Sequence, residues 1–99
     1  MSRLLEPDEV SRQLTGLPGW TKDGQSIRRS ISAPDFTAAI RIVDDVAVEA
    51  ENMDHHPDID IRWRTLHFVL STHSAGGITQ LDIELAHRIS DIANTHGAS

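Results

Sequence analysis

The chain has no cysteine, which removes disulfides, thiolate metal sites and thiol nucleophiles at once. Tyrosine is also missing, and two Trp and two Phe are the only aromatics. Low-complexity segments, internal repeats and linkers are absent. No apolar run approaches the ~18 residues of a membrane-spanning helix. The opening Met1-Ser2-Arg3-Leu4-Leu5-Glu6 lacks the apolar core of a secretory signal, so the cytoplasm is the expected compartment. Basic residues are scarce: nine Lys and Arg against fifteen Asp and Glu leave a net charge of −6. A surface of that sign repels phosphate backbones, so direct nucleic-acid binding is not expected. The 99 residues suffice for one core, hence one domain over residues 1–99.

What is present in excess is histidine. Of six in the chain, His55, His56, His67 and His73 fall within nineteen residues. The surrounding pattern alternates between helical and extended periods. Pro7 to Leu17 reads as a helix: proline suits the first turn, Asp8 and Glu9 suit its positive end, and Val10, Leu14 and Leu17 recur at helical spacing. Pro18-Gly19 stops it. Asp23-Gly24 then predicts a type I′ hairpin turn between Trp20–Lys22 and Gln25–Ser32, where Ile27, Arg29 and Ile31 share one face. Ser32-Ala33-Pro34-Asp35 fits a capping box. Phe36, Ile40, Val43, Ala47 and Ala50 form the stripe of a long helix ending near Asp54, ahead of Pro57.

Asp58 to Trp63 alternates, with Ile59, Ile61 and Trp63 on one face. Leu66, Phe68 and Leu70 alternate likewise, so a second hairpin turns at Arg64-Thr65. His67 has the opposite parity and points away from the helices. After His73 comes a flexible Ser74-Ala75-Gly76-Gly77 loop. Thr79-Gln80-Leu81-Asp82 is another capping box, flanked by Ile78 and Ile83 as a hydrophobic staple. Leu85, Ile89 and Ile92 carry a last helix to about Thr95, and His87 and His96 are exposed on it. The expected class is α+β, in the order α-β-β-α-β-β-α. A four-stranded antiparallel sheet carries three helices on one face. Its other face needs polar residues or a partner subunit, with Val69 an apolar candidate there.

Chemistry concentrates around the end of the long helix. Glu51 precedes His55 by four residues, on one helix face. His55-His56-Pro57 leaves at the C-terminal end of that helix. Pairing of the second hairpin returns His73 to the same end of the sheet, and Asp82 opens the final helix. Imidazoles titrate near neutrality and can give and take protons at one pH, with a carboxylate to orient them. Addition or elimination of water, or tautomerisation, fits such a set, with Trp63 or Ile59 as a wall for a flat substrate. Each residue also fits a plainer role. His55 and His56 fit as C-capping side chains, Asp82 as a capping carboxylate only, Glu51 as a solvated helix residue, His73 as a loop residue and Trp63 as core. The three histidines and two carboxylates also raise an open zinc site, ranked well behind because no His-x-His or His-x3-His pair exists.

The string Glu51-x3-His55-His56-Pro57-x5-Trp63-x9-His73-x8-Asp82 resembles the signature of the pterin-4a-carbinolamine dehydratases. Leu17 to Trp20, Asp23-Gly24, Ala50 to Pro57 and Leu70 to His73 resemble that family too. The resemblance implies a hydro-lyase, 4a-hydroxytetrahydrobiopterin dehydratase. Such an enzyme converts the carbinolamine to quinonoid dihydrobiopterin and water in tetrahydropterin recycling, with no metal and no organic cofactor. It implies His55, His56 and His73 as catalytic residues and Glu51, Asp54, Asp82 and Trp63 as substrate-binding or supporting ones. It also implies a homodimer or homotetramer. The alternative is a non-catalytic dehydratase-like protein acting as a dimerisation or assembly cofactor; retention of all three histidines favours the enzyme.

Overall fold

A computed structural model describes residues 3–99. Helix α1 spans Pro7–Leu14, strand β1 Thr21–Asp23, β2 Ser26–Ser32, helix α2 Phe36–Met53, β3 Asp58–Arg62, β4 Thr65–Leu70, and helix α3 Gln80–Thr95; a short 3-10 turn covers His73–Ala75. The sheet is antiparallel throughout, in the order β1-β2-β4-β3. This is the expected α+β order. Among the described residues, no helix is long and apolar enough to cross a membrane.

Side-chain parity sorts the sheet. Ile27, Ile31, Leu66, Phe68 and Leu70 are buried beneath the helices. The opposite face carries Arg28, Ser30, Asp58, Asp60, Arg62 and His67, which follow from the strand register. It is therefore a polar face, where Val69 stands as a half-buried exception. His67 lies there as expected, with its Nδ1 2.7 Å from the Ser30 hydroxyl.

Several local expectations shift. Helix α1 stops at Leu14, and Leu17 reaches the core from the following turn. The first hairpin pairs Asp23 with Ser26, so its central residues are Gly24 and Gln25 rather than Asp23 and Gly24. Gly24 alone takes positive φ, at 62°, the pattern of a type II′ turn. The second hairpin pairs Arg62 with Thr65, so it turns at Trp63-Arg64. Helix α2 is capped by Asp35, whose carboxylate accepts from the Ala38 amide at 2.8 Å. Ser32 cannot be its cap, because its backbone pairs with Ser99 while Ala33 bonds to Arg64. Those tertiary bonds hold residues 32–33 extended, as Pro34 also favours for Ala33.

The core stripe of α2 is Ala39, Ile42, Val46 and Ala50. Of the expected stripe only Ala50 is fully buried; Ile40 and Val43 are half-buried and Phe36 and Ala47 are exposed. Small residues on the buried face let α2 and α3 approach closely, since Ala86 and Ala93 of α3 are buried too. The ion pairs Arg88–Glu49 and His96–Asp45 show the two helices running antiparallel. Thus His96 is a tethered, half-buried residue rather than an exposed one. The C-terminus of α2 consequently meets the N-terminus of α3.

Candidate active site

Helix α2 ends in a Schellman arrangement. The His55 amide donates to the Ala50 carbonyl and the Asp54 amide to the Glu51 carbonyl, at 3.0 and 3.2 Å. Asp54 occupies the left-handed position usually held by glycine, at φ 48°. This reversal corrects the expectation that Glu51 and His55 share a face. His55 turns inward and His56 outward, and Glu51 takes His56 as its partner.

The inward ring is buried. His55 Nε2–H donates to Asp82 Oδ1 at 2.6 Å, and Asp82 is fully shielded from solvent. The other Asp82 oxygen accepts from the Thr79 amide at 2.9 Å and the Thr72 hydroxyl at 2.8 Å. Since Thr72 gives its proton to Asp82, the 2.8 Å contact between the two threonine hydroxyls requires Thr79 to donate to Thr72. Asp82 is therefore both the capping-box carboxylate of α3 and the anchor of His55. The electrostatics agree with the layout: an imidazole sits at the negative end of α2 and a carboxylate at the positive end of α3. No buried side-chain nitrogen or oxygen among the described residues lacks a partner. His55 Nδ1 makes no hydrogen bond, so it is the edge of the ring that solvent reaches.

The outward ring, His56, donates from Nε2 to Glu51 Oε2 at 2.5 Å in an exposed pair. His73 stands across from both on the 3-10 turn after β4, exposed. The expected flexible loop is instead a closed turn: the Thr72 amide donates to the Gly77 carbonyl at 2.8 Å, and Gly77 answers at 3.3 Å. Asp54, His55, His56, Ser71, Thr72, His73 and Ser74 line one open cleft of about 270 Å³.

All three histidines and Asp54 thus meet at one cleft, with Asp82 and Glu51 supporting two of the rings. Trp63 does not join them. It sits in the β3–β4 turn at φ 54°, 73% exposed, beneath the Arg64 guanidinium at 5.2 Å. The cleft lies at the other end of β3, roughly 17 Å away at about 3.3 Å per residue. Within this chain Trp63 is neither core nor a wall of the cleft. Sequence reasoning missed Thr72 and Thr79 as members of the buried network. The capping box at Thr79 was the available signal, while nothing local marks Thr72.

A family model described as pterin 4 alpha carbinolamine dehydratase matches residues 3–92. A pterin-4-alpha-carbinolamine dehydratase of Nocardia farcinica is 52% identical over 92 residues, covering 93% of this chain and 97% of that protein. One from Mycobacteroides abscessus is 55% identical over 86 residues, covering 87% and 92%. The crystal structure of a transcriptional coactivator/pterin dehydratase from Brucella melitensis superposes with a TM-score of 0.87 at 36% identity, covering 92% of this chain and 98% of that one. A pterin dehydratase-like protein identified as a RuBisCO assembly factor in the alpha-carboxysome shares the fold, with a TM-score of 0.65 at 17% identity over 76% of this chain and 89% of that one.

Proposed function

The chain belongs to the pterin-4a-carbinolamine dehydratase family of hydro-lyases, and from that membership we propose that its histidine cleft dehydrates 4a-hydroxytetrahydrobiopterin by acid-base catalysis in tetrahydropterin recycling. The observation that carries this reading is the buried 2.6 Å His55–Asp82 bond at the floor of a cleft shared with His56 and His73. The reaction expels the 4a-hydroxyl as water, which needs a proton donor, and removes the N5 proton, which needs an acceptor. His55 and His73 form the acid-base pair. Asp82 fixes the His55 ring so that Nδ1 faces the substrate, and His56, steadied by Glu51, positions it. Asp54 offers a carboxylate to the polar edge of the pterin. The products are the quinonoid dihydropterin and water, and no group outside the chain is consumed.

The protein acts as a self-associated domain in the cytoplasm under this reading. A dehydration assay on freshly generated 4a-hydroxytetrahydropterin tests it. The expected result is a rate well above the uncatalysed one, unchanged by a chelator. A rate equal to the uncatalysed one, where a known family member is active, overturns it.

A further inference from the structure

Arg29 shares the helix-facing parity of Ile27 and Ile31, an unusual place for a charged residue. Its side chain runs up between the sheet and the helices toward the turn after α1. A Cβ added at Gly19, where φ is +88°, would fall 2.8 Å from Arg29 Nε, so glycine is what lets the guanidinium lie against that turn. The guanidinium donates to the Ser90 hydroxyl oxygen at 2.9 Å, and so does the Trp20 indole N–H, also at 2.9 Å. Two donors occupy both lone pairs of that oxygen, so the Ser90 hydroxyl proton remains to be given away.

Ser90 lines a cavity of about 250 Å³ together with Arg29, His87, Asn94, Asp91 and the Gly16–Pro18 turn, so that proton is available to a group bound there. Its lining offers the Arg29 guanidinium, the Ser90 hydroxyl, the Asn94 amide and the His87 imidazole, with Asp91 the only carboxylate. Arg29 has no carboxylate partner among the described residues, and burial lowers its pKa with no opposing charge to offset it. A half-buried guanidinium in that state gains from an anion that can reach it. Ser90 and Asn94 lie eight and twelve residues beyond Asp82 on α3, about 12 and 18 Å along the helix. The cavity is therefore separate from the histidine cleft.

We propose that this cavity is a second ligand site, taking one oxyanion, a carboxylate or phosphate group, on Arg29 and Ser90. Trp20 reports on it directly through its bond to Ser90. With Trp63 replaced by Phe, Trp20 is the sole tryptophan. Its emission is followed while sodium phosphate or sodium acetate is titrated against sodium chloride at constant ionic strength. Saturable change with either anion is expected, and the tighter of the two identifies the group. Arg29→Met should weaken binding roughly tenfold or more, the scale of a lost charged hydrogen bond. Asp91→Asn, at an exposed position, should tighten it by removing a like charge. No saturable change with either anion, or an undiminished response in a folded Arg29→Met, overturns the proposal. If Arg29→Met does not fold, unchanged affinity in Asp91→Asn overturns it.

Discussion

Asp82 spends one oxygen on the cap of α3 and Thr72 and the other on His55. Asp82→Asn keeps the shape but sets an amide N–H against donors. It should lower melting temperature and turnover together; lost stability with intact turnover would reduce Asp82 to a cap. His55→Ala and His73→Ala separate in a different way. Both should lower turnover by about 100- to 10,000-fold, the usual worth of general acid-base groups. His73 is exposed, so its loss should leave melting unchanged. His55→Ala strands a buried carboxylate oxygen, which costs about 1–3 kcal/mol. If the pair acts as one proton-transfer unit, as proposed, the double variant should be little worse than the poorer single one. Near-normal turnover in both singles would remove the assignment.

At the scale of elements, the two helix ends that flank the chain's loops make measurable claims. Asp54 holds a left-handed conformation that costs a non-glycine residue about 1–2 kcal/mol. Asp54→Gly relieves that cost while adding about 0.4–1 kcal/mol of unfolded-state entropy. Melting temperature should hold or rise, and, if the Asp54 carboxylate binds the pterin as proposed, KM should rise. A clear loss of stability would show that the Asp54 side chain is structural. At α1, Glu9 accepts from Nη1 and Nη2 of Arg3 and from the Glu6 amide. The Arg3 hydrogen bond is the chief cause that holds its carboxyl at about 2, below the ordinary 4.5. A depressed folded-state value stabilises the fold above pH 4.5, and that share fades as pH falls from there through 2. Glu9→Gln should therefore flatten the acid side of the stability curve in that window; an unchanged curve would show that the Arg3–Glu9 clasp is too solvated to matter.

For the whole molecule, the proposed self-association needs an apolar surface. The sheet's outer face is polar, which weakens the expectation built on Val69. The exposed side of α2 is the stronger candidate: Phe36 and Val48 are 51% and 59% exposed, with Ile40 and Val43 half-buried. Apolar side chains left in water on one helix favour association. Light scattering at micromolar concentration should find a dimer or larger species, and Phe36→Glu or Val48→Glu should shift it toward monomer. A strict monomer at high concentration contradicts the idea.

The amino-acid sequence by itself determined the order of elements, the parity of the strands, the capping box at Thr79 and the grouping of the three histidines at one end of the sheet. Those features rest on local periods and short-range turns, which one chain segment carries alone. Tertiary structure decided which of two apolar stripes on α2 became core, since only packing of alanines against α3 distinguishes them. It also decided that residues 32–33 stay extended, because Ser99 and Arg64 supply their hydrogen bonds. The partners at the cleft were decided the same way. One left-handed residue at Asp54 rotates the chain so that His55 meets Asp82, 27 residues away, and leaves Glu51 to His56. Neighbour spacing on a helix describes contacts only while the helix lasts, and this site begins where the helix ends.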